Sequence, residues 1–311
     1  LVHRSGIYRR WWLDVTVARG GTVISGLSDP SVEVFDHRIC RLGEGVFWHP
    51  LRQQLFWFDI LGRKMHSKRN GKPITWMFDE HVSAAGWIDH DTLLIASESR
   101  LFTCDPDSGA RRDVVPLEAD NPVTRSNDGR ADPYGGFWIG TMGKKAENGA
   151  GAIYRYHDGT LRQIFADLTI PNAICFSPDG AWAYYTDTLT QIIHKQALDD
   201  HGWPQGPAQV FADLREDGVF PDGAVVDADG HLWNAQWGAS RVARYTPDGR
   251  FQTAVVFPAS QISCPAFGGS GLDRLFATSA ADGLPQDAPA HGKTYVTQTA
   301  VRGQEEHQVH L

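Results

Sequence analysis

The sequence predicts an all-β fold, a six-bladed β-propeller with four-stranded blades. The 311 residues include 32 Gly and 11 Trp, and many turns combined with many aromatic side chains are typical of short, pleated strands. A turn-and-strand phrase recurs along the chain at intervals of about 40 to 50 residues, the usual length of a propeller blade. Helical periodicity is hard to find, which also favours a chain made of strands.

Each copy of the phrase is a polar turn rich in Pro, Asp or Gly, followed by a strand of aromatic and aliphatic residues. The copies are residues 49–50 before 55–58, 89–91 before 93–95, 132–135 before 137–139, 177–180 before 182–185, 227–230 before 232–233, and a weaker one at 269–273 before 275–276. A second turn inside most copies fits a hairpin between the outer strands of a blade. The count predicts about six blades.

The organisation of the chain is interpreted as one domain, because no Gly/Ser-rich or Pro-rich linker interrupts the repeats. Residues 1–30 are expected to be an N-terminal extension and residues 31–300 the propeller. Residues 301–311 are expected to be a polar, peripheral C-terminal tail. Arg9 and Arg10 are not followed by an apolar stretch of about 7 to 15 residues, so an export signal is rejected.

Composition and charge disfavour several classes of partner. The net charge is −8, which disfavours binding to nucleic acids. No apolar run approaches the roughly 20 residues that cross a bilayer. The four cysteines form no Cys-x-x-Cys pair and are expected to be reduced and packed in strands, which fits a cytoplasmic protein. They are Cys40, Cys104, Cys175 and Cys264.

Polar residues stand shortly before four of the repeat phrases, at matching positions in their blades. Glu44, the segment 125–129, Asn172 and Asp222 occupy these places, and equivalent blade positions meet around the axis of a propeller. Glu44, Asn172 and Asp222 offer two carboxylates and one amide oxygen, which suit Ca²⁺, Mg²⁺ or Mn²⁺, with Zn²⁺ left open. Three protein ligands leave positions for water and substrate, as a catalytic metal requires.

Each of these segments also has a structural interpretation, since Pro-Asp-Gly and Pro-Asn sequences are common turn formers. The shared blade position favours the metal site. By contrast, Asp179, Asp229 and Asp248 lie in hairpin turns and are interpreted as turn residues. No Gly-x-Ser-x-Gly, His-Glu-x-x-His or phosphate-binding loop motif is present, which removes those catalytic templates.

The motifs resemble those of the senescence marker protein/gluconolactonase/luciferin-regenerating enzyme family, which includes regucalcin. The resemblance covers roughly residues 33–280 and is carried by the segments 42–48, 125–130, 137–142, 171–172, 221–223 and 264–269. It implies a six-bladed propeller with one divalent metal in its central channel. It also implies that Glu44, Asn172 and Asp222 are the metal ligands, that Asp222 is the general base, and that Arg125 and Asn127 contact substrate.

Two positions depart from the family pattern. Val46 replaces a proline that usually follows the Glu-Gly pair, a change expected to affect only the loop. Lys144 and Lys145 stand where regucalcin-like members carry acidic residues. Lys145 is therefore a candidate substrate-binding residue that would favour an anionic lactone, and a solvated hairpin charge is the alternative.

The expected function is metal-dependent hydrolysis of a small sugar lactone, either an aldonolactone or a lactone of a sugar diacid. The metal would act as a Lewis acid, and Asp222 would take the proton of the attacking water. One alternative is a propeller that binds a divalent metal such as calcium without lactonase activity. Another is an ester hydrolase of the paraoxonase kind. The expected partner is a small sugar lactone, and the sequence indicates no protein partner.

Overall fold

The computed structural model describes residues 32–285 and 289–311, so the expected extension at 1–30 lies outside the described residues. The described parts form short strands and a single turn of 3-10 helix at Thr188–Thr190. The strands are β1 Glu33–Asp36, β2 Gly43–His49, β3 Gln54–Asp59, β4 Lys64–Arg69, β5 Lys72–Met77, β6 Val82–Trp87, β7 Leu93–Ser97, β8 Arg100–Cys104, β9 Arg111–Pro116, β10 Thr124–Ala131, β11 Phe137–Gly143, β12 Gly151–His157, β13 Thr160–Leu168, β14 Pro171–Phe176, β15 Trp182–Asp187, β16 Ile192–Ala197, β17 Gln209–Asp213, β18 Phe220–Val226, β19 Leu232–Trp237, β20 Arg241–Tyr245, β21 Phe251–Val256, β22 Ile262–Gly268, β23 Arg274–Ser279 and β24 Thr294–Gln298.

The strands form six antiparallel sheets of four, each sheet being one blade. Blades one to five are consecutive, from β2–β5 to β18–β21, and blade six contains β22, β23, β24 and β1. The first strand of each blade is innermost, and the inner strands of neighbouring blades contact each other around a ring. The prediction of a six-bladed propeller with four-stranded blades is confirmed.

Blade six closes the ring, because its outermost strand comes from the start of the propeller. β1 pairs with β24, with Glu33 opposite Val296 and Val34 opposite Tyr295. Leu42 forms an isolated antiparallel bridge with Ala280 on the way to blade one. These hydrogen bonds between distant parts of the chain hold the first and last blades together and leave no open gap in the ring.

Aromatic side chains fill the spaces between neighbouring blades. Trp138 of blade three packs edge-on against Phe176 of blade four, with ring centroids 5.3 Å apart. Trp233 of blade five meets Phe267 of blade six in the same way at 5.5 Å. Each fully buried aromatic side chain contributes about 1.5 to 3 kcal/mol to folding. The many aromatic residues noted in the sequence therefore serve to join the blades.

The four cysteines are all buried and none forms a disulfide. This agrees with the expectation of reduced cysteines packed in strands, while the cytoplasmic location stays a prediction. Within residues 32–285 and 289–311, the structure contains no helix with the length and apolar character needed to cross a bilayer.

The C-terminal segment is not peripheral, and that expectation is wrong. Residues 303–309, here called the C-terminal plug, lie across the ends of the inner strands. Gln304 Nε2 donates hydrogen bonds to the carbonyls of Phe176 and Val226, at 3.1 and 3.0 Å. Trp87 Nε1 donates to the carbonyl of Glu306 at 2.8 Å. Polar groups of the plug and of the propeller thus bind backbone groups of each other, and Gln304 and Glu306 are partly buried as a result.

The plug is also anchored by one apolar and one ionic contact. Val309 is fully buried and packs among the hydrophobic residues of blades two and three. The Glu306 carboxylate pairs with the guanidinium of Arg130, near the end of β10. Together with the hydrogen bonds above, these contacts tie the plug to blades two, three, four and five.

Candidate metal and active site

Every inner strand has an irregularity in its pairing register close to its beginning. A bulge of this kind bends a strand and turns side chains away from strict alternation. The irregularities lie between Glu44 and Phe47, Val82 and Ala84, Ser126 and Gly129, Asn172 and Cys175, Pro221 and Ala224, and Ile262 and Pro265. The predicted ring of equivalent positions is therefore a ring of bulges at one end of the channel, which holds Glu44, Asn127, Asn172 and Asp222.

Gly45 shows why the chain takes this shape beside Glu44. Its φ of 55° lies in the left-handed region, and a Cβ there would come within 2.0 Å of the carbonyl oxygen of Ser83. A residue without a side chain lets β2 approach β6 at this point. The Gly45 N–H also donates to Glu44 Oε2 at 2.9 Å, which fixes the carboxylate at the bulge.

The amide and guanidinium groups form one hydrogen-bonded chain through blades three, four and five. Arg125 Nη1 donates to Asn127 Oδ1 at 2.9 Å, and Asn127 Nδ2 donates to Asn172 Oδ1 at 3.2 Å. Asn172 Nδ2 donates to Thr188 Oγ1 at 2.9 Å, and that hydroxyl donates to the Pro221 carbonyl at 2.8 Å. Because Thr188 holds the amide nitrogen, the oxygen of Asn172 faces its neighbours in the channel.

The carboxyl groups of the site are buried together. Glu44 and Asp222 are 4% and 6% exposed, and their carboxyl groups share a hydrogen bond. Burial, followed by the charge of Asp128, raises the pKa of Glu44 to about 8. Burial, then the charges of Glu44 and Asp128, raise the pKa of Asp222 well above its usual value. All of these carboxyl groups can therefore ionise together only when a positive charge lies beside them.

The donor set fits a divalent cation. Glu44 and Asp222 offer carboxylate oxygens, and Asn172 offers an amide oxygen whose orientation Thr188 fixes. A hard cation such as Ca²⁺, Mg²⁺ or Mn²⁺ takes oxygen ligands of these types. The positive charge of the cation would offset the negative charges of the carboxylates, which burial and mutual repulsion otherwise disfavour.

Comparison with known proteins decides the family. The model of the SMP-30/Gluconolactonase/LRE-like region matches residues 42–281. The chain belongs to this family. The family resemblance drawn from the six sequence segments is thereby confirmed.

Relatives of this SMP-30/gluconolactonase family member include named lactonases. L-arabinolactonase of Azospirillum brasilense is 38% identical over 275 residues, which are 84% of this chain and 90% of that protein. The 6-deoxy-6-sulfogluconolactonase of Pseudomonas putida is 33% identical over 274 residues, 84% of this chain and 92% of that protein. The crystal structure of a calcium-binding protein, regucalcin, from Agrobacterium tumefaciens has 40% identity and a TM-score of 0.88, and covers 91% of this chain and 98% of its own.

Two residues that the sequence analysis did not single out as site residues, Asp128 and Cys264, lie beside Glu44. Glu44, Asp128 and Cys264 have ligand atoms within 4.8 Å of one another, and burial raises the pKa of Asp128 to about 6. Asp128 Oδ2 accepts a hydrogen bond from the Ile174 N–H at 2.7 Å, so it joins blades three and four. Strand alternation would point Asn127 and Asp128 in opposite directions, but the bulge between Ser126 and Gly129 brings both to the site.

The structure does not bring Lys145 together with the other predicted site residues. It is exposed in the turn after β11, where its backbone N–H donates to the Glu147 carboxylate at 3.0 Å. The neighbouring Lys144 instead pairs with Glu98. Glu98 in turn contacts His81 Nδ1 at 2.6 Å, and Arg125 acts electrostatically on His81. The role of Lys145 in substrate binding stays a prediction.

Proposed function

We propose that this protein hydrolyses the ester bond of a small sugar lactone, an aldonolactone or a lactone of a sugar diacid, and that the activity depends on one divalent cation. The observation that carries the proposal is the group of buried carboxylates and oriented amides that four inner strands bring to one end of the channel. Family membership and the relatives named as lactonases support the reaction type.

Glu44, Asn172 and Asp222 would hold the cation. A bound divalent cation would supply Lewis-acid polarisation of the lactone carbonyl and stabilise the charge that develops on its oxygen. The named calcium-binding relative supports calcium as one candidate, with Mg²⁺, Mn²⁺ and Zn²⁺ the others.

Asp222 acts as the general base. Water adds to the carbonyl carbon, and Asp222 takes the proton that this water loses. The bond from the carbonyl carbon to the ring oxygen then breaks, Asp222 gives its proton to the ring oxygen, and the product is an open-chain hydroxy acid. Asp222 is buried beside Glu44, so bulk water is kept from the proton transfer.

Arg125 and Asn127 orient the substrate. Both side chains are at least nine-tenths buried and are fixed to each other by the 2.9 Å hydrogen bond, so their positions beside the proposed site are fixed. Arginine can contact two oxygens at once, which suits the hydroxyl groups or a carboxylate of a sugar acid. Lys145 is proposed to favour an anionic substrate from the turn after β11.

The first test is an assay of metal-stripped protein by pH indicator against aldonolactones and sugar-diacid lactones, with Ca²⁺, Mg²⁺, Mn²⁺ and Zn²⁺ restored singly. We expect acid release well above spontaneous hydrolysis only when a metal is present. Full activity in stripped protein would contradict the metal dependence. The same panel applied to Lys145→Glu decides the role of Lys145, since an unchanged preference between neutral and anionic lactones would contradict it.

Replacement of Asp222 by Asn tests the general base. Loss of a positioned general base costs about 10² to 10⁴ in rate, so we expect at least a hundredfold loss of turnover at saturating metal. Because Asp222 is also a proposed ligand, metal binding to the variant is measured separately by calorimetry. Asp248→Asn, in an exposed turn, is the matched control. Wild-type turnover by Asp222→Asn with metal bound would contradict the proposed role.

The alternative of a calcium-binding propeller without lactonase activity is favoured by the Agrobacterium tumefaciens relative, which is named a calcium-binding protein. It predicts tight binding of Ca²⁺ together with no acid release from any lactone of the panel. The metal-restoration assay and calorimetry distinguish the two functions in the same preparation.

A further inference from the structure

A second group of metal-ligand side chains lies in blade one, outside the channel site. Cys40, Asp59 and His66 each offer a ligand atom, and these atoms lie within 4.8 Å of one another. The three residues are 0%, 2% and 4% exposed. None of them belongs to the channel site or to a motif that the family resemblance uses.

The position of this group is the junction where the ring closes. Cys40 lies in the connection from β1, the outer strand of blade six, to β2, the inner strand of blade one. Its backbone N–H donates to the Gly292 carbonyl at 2.8 Å, shortly before β24 begins. Asp59 ends β3 and His66 lies on β4. The group therefore joins the closing segment to two strands of blade one.

The hydrogen bonds around the group hold its side chains in place. Asp59 Oδ1 accepts from the backbone N–H groups of Leu42 and Gly62, both at 3.1 Å, and no such bond occupies its Oδ2. His66 Nδ1 lies 2.9 Å from Thr75 Oγ1 and 3.3 Å from Arg38 Nη1, and these contacts fix the ring orientation. For Nε2 to bind a metal, Nδ1 carries the ring proton and donates it to Thr75 Oγ1.

A neighbouring feature, the indole of Trp57, suits a metal-bound sulfur in this place. Trp57 is fully buried and lies in the same hydrophobic cluster as Cys40. Its Nε1–H has no hydrogen-bond partner among the described residues. A buried N–H near sulfur is a typical outer contact of a metal-bound thiolate.

The charges of the group favour a divalent cation. One Cys thiolate and one Asp carboxylate balance two positive charges, and a neutral centre is the form that a buried site tolerates. His66 would bind a metal as a neutral imidazole, which adds no charge to this balance. The nearby guanidinium of Arg38 is paired with Asp36 at 2.8 Å, and Lys68 pairs with the same carboxylate at 3.4 Å.

We propose that Cys40, Asp59 and His66 form a structural site for Zn²⁺ that ties the two ends of the propeller ring together. A Cys, His and carboxylate set suits zinc, and oxygen-seeking cations such as Ca²⁺ do not take thiolate ligands. Binding forms a metal–sulfur bond and releases the thiol proton to solvent. The site differs in ligand chemistry from the oxygen-rich channel site.

Cobalt(II) replacement tests the proposal, because a cobalt–thiolate bond gives a near-ultraviolet charge-transfer band that oxygen ligands do not give. Cys264 lies beside the channel carboxylates, so the titration is done in Cys264→Ser protein and in protein with Cys40→Ser added. We expect the band in Cys264→Ser, its loss in the double variant, and one fewer bound Co²⁺ per chain.

Competition with a chromophoric chelator measures how much zinc affinity each variant loses. Loss of an outer contact already costs 10- to 100-fold in affinity, so loss of the thiolate is expected to weaken this site at least about a hundredfold. His66→Gln in the Cys264→Ser background serves if Cys40→Ser reduces folding yield. A thiolate band that survives Cys40→Ser, or equal cobalt stoichiometry with and without Cys40, would overturn the proposal. Lactone turnover is measured in Cys40→Ser protein that retains Cys264, since the channel site should keep its activity when the blade-one site is lost.

Discussion

Replacement of Glu306 by Gln should destabilise the protein strongly, although only five residues follow Glu306 in the sequence. Its carboxylate pairs with Arg130, and the two side chains are 12% and 9% exposed. Gln has nearly the same shape as Glu, and the backbone carbonyl of residue 306 still accepts the hydrogen bond from Trp87 Nε1. The substitution therefore removes the charge partner of Arg130 and little else.

The magnitude follows from the burial of the pair. Removing one member of a buried ion pair costs about 3 to 5 kcal/mol, because the other charge is left without a partner. The slight exposure of both groups reduces this, and we expect about 3 kcal/mol. Since 1.4 kcal/mol is a tenfold change, the folding equilibrium should shift by roughly a hundredfold. Arg130 already has one buried nitrogen, Nε, without a hydrogen bond, so it has little means to compensate.

The assay is urea unfolding followed by tryptophan fluorescence, with midpoint and slope compared between variants. Asp213→Asn is the control, since Asp213 pairs with Arg215 at the surface and exposed pairs contribute little. The double variant Glu306→Leu with Arg130→Met should recover most of the lost stability, which a double-mutant cycle measures. A free energy of unfolding for Glu306→Gln within about 0.5 kcal/mol of wild type, the range of surface changes, would refute the reasoning.

Two further stability predictions follow from the structure. Gly45→Ala should lower the free energy of unfolding by about 3 kcal/mol or more, because it adds left-handed backbone strain to a clash with a neighbouring carbonyl. Gly71→Ala, at a φ of 75° with no atom within 4 Å, should lower it by only about 1 kcal/mol. Equal losses for the two variants in thermal unfolding would contradict the clash. Asp132→Asn should cost about 3 to 5 kcal/mol, because it leaves the fully buried guanidinium of Arg155, now 2.6 Å from the carboxylate, without a counter-charge. Asp248→Asn is the control for this change, and a similar loss in both variants would show that burial of the pair is not the cause.

The blade count could be predicted from the sequence because each blade is a local structure. The turn at 177–180 and the strand that follows it lie in one hairpin of blade four, so neighbouring residues suffice to recognise them. The same holds for the hairpin that contains 227–230. Repetition of such local units at a constant interval specifies a propeller before any long-range contact is known.

The residues of the candidate site could be grouped from the sequence because the inner strands are equivalent. Glu44, Asn172 and Asp222 occupy the same place in their blades, and the structure places all of them on bulges at one end of the channel. Asp128 was missed because a bulge breaks the alternation on which a strand pattern depends. Cys264 was missed for a different reason, since a lone cysteine in an apolar strand has the appearance of a core residue.

Long-range contacts were beyond what the sequence pattern could supply. The pairing of β1 with β24 joins residues more than 250 positions apart, and no local motif marks the partner. The polar residues of the plug were assigned to the surface because polar segments at chain ends are commonly exposed. Gln304 and Glu306 lie inside instead, since their partners are strand-end carbonyls and a buried arginine from other blades.

The plug also decides how molecules can move through the protein. It lies across the ends of the inner strands, where it contacts four of the six blades, whereas Glu44, Asn172 and Asp222 lie where their strands begin. The plug and the proposed site are therefore at opposite ends of the channel. In the proposed reaction a sugar lactone would enter at the end away from the plug, and the acid would leave by the same opening. Accumulated product would then compete with substrate at that entrance, in the manner of a competitive inhibitor.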